Sequence, residues 1–116
     1  MDKLVVEQLR ASLERFSASG SVRSVLLHLR TVFAEGIPQI ERALECADVE
    51  GLAGGIHRCN GAVLELEHFA AFAKSLREAE QAARTGSPDA FTMGLQSLNE
   101  LRQIDAAACM LLGGIE

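Results

Sequence analysis

The chain has 116 residues, 48% apolar and 23% charged, which is the composition of one globular domain with a single core. Five Phe and no Trp or Tyr leave Leu, Ile, Val and Ala to fill that core. A formal charge of −5, with no basic stripe and no aromatic platform for bases, argues against a nucleic-acid partner.

In chain order, the first predicted helix runs from about Lys3 to Ser17, with Leu4, Val5, Leu9, Leu13 and Phe16 on one stripe. Ser19-Gly20-Ser21 breaks it and supplies a Ser at the entrance of the next helix, a good N-cap. The second segment starts near Val22 and carries Val25, Leu26, Leu29, Val32 and Phe33 inward. Gly36-Ile37-Pro38 is expected to kink or split it, because proline removes a backbone donor. The pattern resumes through Ile40, Ala43 and Leu44 and ends by Ala47. Asp48 is the predicted N-cap of a third helix reaching about Leu64, and a fourth runs from roughly Glu67 to Arg84 over Phe69, Phe72, Ala73, Leu76 and Ala79. Thr85-Gly86-Ser87-Pro88-Asp89 is the sharpest punctuation: Gly86 suits a left-handed helix end, Ser87 a cap, and Pro88 a first turn. The last helix extends to about Leu112, with Phe91, Leu95, Leu98, Leu101, Ile104, Ala108 and Leu111 inward, and Gly113-Gly114 is expected to stop it.

No alternating strand pattern or internal repeat interrupts this series, so residues 1–116 read as one all-α domain, an antiparallel four-helix bundle with an additional N-terminal helix. Glu65, Glu67, Lys74, Arg77, Glu78 and Glu80 read as a solvated face of that bundle. The longest apolar stretch, Val25-Leu26-Leu27-His28-Leu29, stops at Arg30 and is too short to span a membrane, and no secretory signal is visible at the N-terminus. Cys46, Cys59 and Cys109 are odd in number and sit in helical patterns, which predicts reduced, buried thiols and a cytoplasmic location.

The most informative residue is His57. Leu52, Ile56, Cys59, Val63 and Leu66 repeat at helical spacing and form the buried stripe of the third helix. His57 falls about 100° off that stripe, on a face shared with Ala53 and Gly54 before it and Asn60 and Gly61 after it. Gly54, Gly55 and Gly61 each cost about 1 kcal/mol in a helix relative to Ala, so their crowding round one histidine needs a reason. Gly55, beside Ile56, suits close helix packing; Gly54 and Gly61 suit the approach of a partner surface to the imidazole.

The segment His57-Arg58-Cys59-Asn60-Gly61-Ala62 resembles the His-x-Leu-Lys-Gly-Ser/Ala signature of the histidine-containing phosphotransfer domains of bacterial phosphorelays. The Asp48 start is similar too, as is the following helix with Phe69, Ala73, Leu76 and the run to Gly86, so the resemblance covers the second to fifth segments. It implies that His57 accepts a phosphoryl group from a phospho-Asp on the receiver domain of a hybrid sensor histidine kinase and passes it to a response-regulator receiver. A neutral imidazole has the lone pair this needs. The same resemblance implies a phosphoryl carrier and not an enzyme, with magnesium held by the receiver and neither metal nor cofactor on this chain. The implied docking rim is Ala53, Gly54, Arg58, Asn60, Gly61 and Leu64, on a monomer that keeps the histidine face free.

Two positions depart from the family pattern. Asn60 stands where the family usually has Lys, so Arg58 or Lys74 would have to supply positive charge. Glu67 stands where the family often has a glycine at the turn into the next helix, so that connection is expected to differ in shape. Two other readings remain: a receiver- or kinase-binding adaptor without efficient transfer, and a structural bundle in which His57 has no chemistry. Neither a stand-alone protein nor a domain of a larger kinase is favoured. His28 reads as a partly buried or edge residue and His68 as a solvated turn residue. A metal site from Cys46, His57, Cys59 and His68 is disfavoured, because residues two apart on a helix point about 200° apart.

Overall fold

The computed structural model describes residues 2–115 and contains only helix, turn and loop over that range. Five α-helices follow in order: α1 (Lys3–Ser17), α2 (Val22–Cys46), α3 (Val49–Val63), α4 (Ala70–Arg84) and α5 (Ala90–Ile115), with a 3-10 turn at Glu67–Phe69 before α4. The molecule measures 44 × 23 × 22 Å. At about 1.5 Å per residue, α2 and α5 each run most of the long dimension. α2 packs against α3 and α5, and α4 packs against the same two helices; α1 lies mainly against α5 and the 3-10 turn.

The local chemistry explains most boundaries. Asp48 caps α3 as expected, its carboxylate accepting from the Gly51 amide at 3.0 Å. Gly86 takes the left-handed conformation, with φ at +70°, that ends α4. The Ser21 side chain makes no cap bond, because its hydroxyl pairs with that of Ser19 at 2.8 Å. α2 is continuous through Pro38, contrary to the expected interruption. Pro38 and Ala34, whose carbonyl loses its usual donor, are both exposed, so water can serve that carbonyl. Gly113 and Gly114 do not stop α5, and neither adopts positive φ.

The core follows the predicted stripes with few exceptions. Leu52, Ile56, Cys59, Val63 and Leu66 are all buried, together with Phe69, Phe72, Ala73, Leu76 and Ala79 of the next segment. Leu4 and Leu95, expected inward, are exposed; on α1 it is Val6 that is buried in place of Leu4. Gly36 meets the same stripe from α2: a Cβ there would collide with the Cys59 sulfur.

Residues 64–69 form the connection that sends α4 back along α3. α1 secures that connection at two points. The Ser12 hydroxyl, fully buried, accepts from the His68 backbone N–H at 3.1 Å, and the Arg15 guanidinium donates to the Glu65 carbonyl at 2.8 Å. The N-terminal helix thus ties down the connection between α3 and α4 at both ends of residues 65–68.

Candidate functional site

His57 lies in the middle of α3, off the buried stripe, with 73% of its side chain exposed. Its Nδ1 is 3.2 Å from Oε1 of Glu80 on α4. The other Glu80 oxygen accepts from Nε of Arg84 at 2.9 Å, and the Glu80 side chain is only 16% exposed. An ionised carboxylate can only accept, so Nδ1 of a neutral His57 carries the proton and Nε2 keeps its lone pair. Arg84 fixes Glu80, Glu80 fixes the ring, and the nucleophilic nitrogen is left free.

The ring borders an open groove of about 600 Å³ between α3 and α4. Its α3 wall is His57, Asn60, Gly61 and Leu64, and its α4 wall is Lys74, Arg77, Glu78, Glu80 and Gln81. Each set repeats at spacings of three and four, so each is one stripe of its helix. A Cβ added at Gly61 would meet nothing within 4 Å, so this glycine leaves clear space at the groove edge. Leu64 is 58% exposed at the other end of the same stripe.

The remaining rim positions divide differently from the sequence expectation. Ala53 is 1% exposed and belongs to the core, although it lies one turn before His57 on the same side of α3. Gly54 faces α2: a Cβ there would come 3.0 Å from the Gln39 amide nitrogen, which donates to the Gly51 carbonyl. Its small size serves helix contact and not the groove. Gly55 serves packing as expected, since a Cβ would come 2.7 Å from Ile40 Cγ1 and 3.2 Å from the Ile40 backbone nitrogen. Arg58 turns to Glu35 of α2, at 3.4 Å, and does not line the groove. Asn60 is 4% exposed, lodged at the groove floor, and its Oδ1 has no hydrogen-bond partner among the described residues.

Lys74, Arg77, Glu78 and Glu80, read from sequence as a plain solvated face, are the opposite wall of this groove. Glu80 is the residue that sequence reasoning missed. It lies far from His57 in the chain, and only the α3–α4 register brings the two together. The alternation of charge and Ala on α4 carried no sign of which carboxylate would face a histidine.

The other polar candidates separate from the site. His28 is exposed on α2, not at a buried edge, and His68 is exposed in the 3-10 turn. Cys46 and Cys109, expected to be buried, are exposed, whereas Cys59 is fully buried; burial pushes its thiol up to about 12, with Arg58 offsetting part of that and Asp105 adding to it. A thiol held neutral in this way is no nucleophile. Among the described residues no three His, Cys, Asp or Glu side chains converge on a metal position, and no helix is long and apolar enough to cross a membrane.

Comparison of the chain with family models, with curated proteins and with solved structures finds no match.

Proposed function

We propose that this protein is a phosphorelay intermediate that carries a phosphoryl group on His57, with α2–α5 as an antiparallel four-helix bundle and α1 as the additional N-terminal helix. The observation that carries the reading is the His57–Glu80 pair: an exposed imidazole with Nδ1–H held by a carboxylate and Nε2 unencumbered, beside a glycine that clears its flank. In the transfer, Nε2 attacks the phosphorus of a receiver phospho-Asp, the P–O bond to the aspartate breaks, and the carboxylate leaves with the bonding pair. The ring becomes a phosphoryl-imidazolium whose Nδ1–H still faces Glu80, so the new positive charge has a counter-charge in place. The reverse sequence delivers the group to a second receiver, belonging to a response regulator, the first being that of a hybrid sensor histidine kinase. On this reading the chain acts as a cytoplasmic monomer, and magnesium works in the receiver's acidic pocket.

A second reading, an adaptor that binds a receiver without efficient transfer, draws on one feature. After His57 the groove side of α3 carries Asn60, Gly61 and Leu64, with no positive charge.

Incubation with a radiolabelled phospho-receiver separates the two. Acid-labile, base-stable label on the wild-type chain, absent from His57→Gln, is the expected result. Binding of the receiver without label supports the adaptor, and label that persists in His57→Gln removes His57 as the acceptor.

A further inference from the structure

If His57 is the phosphoacceptor, the phosphoryl oxygens bring about two negative charges into a groove that already holds Glu78 and Glu80. Four cations lie near this region. Arg58 is paired with Glu35 outside the groove, and Arg84 is bonded to Glu80. Lys74 and Arg77 are exposed, line the groove, and have no ion-pair partner among the described residues. The register ranks these two. Glu80 stands opposite His57 and α4 runs back along α3. Arg77 therefore lies about 4.5 Å further along the groove, beside Asn60 and Gly61, and Lys74 about 9 Å along, beside Leu64. A guanidinium on a flexible stem spans the first distance easily and offers paired donors to phosphoryl oxygens.

We infer that α4 supplies the phosphoryl-binding charge across the groove, through Arg77 with Lys74 behind it, in place of a cation on the histidine helix. This rests on the phosphoacceptor reading of His57 and adds to it which residues hold the transferred group. Glu78, on the same wall, opposes them and sets a limit on how much anion the groove attracts.

The test uses phosphoramidate, a small donor that needs no partner protein. Nε2 of His57 attacks its phosphorus, the P–N bond breaks, and the amino group, protonated in the zwitterionic donor, leaves as ammonia. The phosphoryl-imidazolium that forms keeps its Nδ1 proton against Glu80. Labelling is followed by mass spectrometry with the site located by fragmentation. Arg77→Gln is expected to slow labelling of His57 about tenfold and Lys74→Gln about two- to threefold, with Arg77→Lys recovering much of the rate. Glu78→Gln is expected to raise the rate. The Arg77→Gln/Lys74→Gln double variant should also lose most of the slowing by added salt that the wild type shows, a readout that a merely structural role would leave in place. All these side chains but their neighbour Glu80 are exposed, so circular dichroism should show an unchanged fold. Labelling of the double variant at the wild-type rate and with wild-type salt dependence overturns the inference while leaving His57 as acceptor. No label at His57 in the wild type overturns the acceptor reading, and the inference falls with it.

Discussion

Gly55 and Gly61 belong to one helix and are small for opposite reasons. At Gly55 the α2 backbone presses so close that a single added carbon would reach Ile40; at Gly61 the same carbon would meet nothing. The contrast extends to their neighbours. Ile56 and Cys59 are sealed in the core, whereas His57 and Leu64 stand open on the groove. α3 is therefore a packed wall on one side and an open groove surface on the other. The first side packs closely against α2 and the second borders α4.

The largest break in this contrast is expected between two adjacent residues. Ile56→Ala removes a fully buried side chain from the packing of α3 and should lower stability by about 2–5 kcal/mol in urea unfolding followed by circular dichroism. His57→Ala, one position on, should stay within about 0.5 kcal/mol of the wild type, since it loses only an exposed ring and an exposed hydrogen bond. Comparable losses in the two variants would make His57 a structural residue and dissolve the distinction between the faces.

The glycines give the next effect, with opposite signs. Gly55→Ala gains helix propensity but forces Ile40 and its backbone away, for a net loss of about 1–2 kcal/mol. Gly61→Ala has nothing to displace and should stabilise the helix by about 0.5–1 kcal/mol. Gly61→Leu should likewise fold, yet on the proposed phosphorelay reading weaken receiver binding measured by titration calorimetry. Unchanged affinity in that variant means that this glycine does not clear the approach.

The division of α3 into two faces was largely readable from sequence, because a helical period fixes which residues share a side. The stripe Leu52, Ile56, Cys59, Val63 and Leu66 is buried throughout, and Asp48 and Gly86 bound α3 and α4 through side-chain and backbone chemistry that acts within a few residues. What escaped depends on neighbours distant in the chain. Asn60 and Ala53 share the open side on a helical wheel, but α4 and the rest of the bundle cover them. Leu4 and Leu95 have the right spacing for a core, but no neighbouring helix covers them. Glu80 is one of several carboxylates on α4, and its selection as the partner of His57 comes from the helix register, which no local pattern encodes. Pro38 continues α2 because it lies on a solvent side, a matter of placement and not of proline itself.

The smallest effect at neutral pH belongs to Cys59, where the contrast with His57 becomes one of protonation. The imidazole and the thiol stand two residues apart and so face nearly opposite directions on the helix. Burial raises the folded-state value of Cys59 from the ordinary 9.0 to about 12. The folded state therefore holds this proton more tightly than the unfolded state, and the sign follows: below about pH 9 both states keep the thiol neutral and the stabilisation is fully present. As pH rises from there through about 12, the unfolded state ionises first and the stabilisation is lost. Urea midpoints of the wild type should fall more steeply over that window than those of Cys59→Ala, and the two slopes should agree near pH 7. A thiol reagent at pH 8 should modify the exposed Cys46 and Cys109 in the folded protein and reach Cys59 only on unfolding. Fast modification of all three thiols in the folded chain would mean that the core side of α3 opens readily. In that case a wall that yields to a small reagent could not hold His57 against Glu80, and the register on which the groove depends would lose its support.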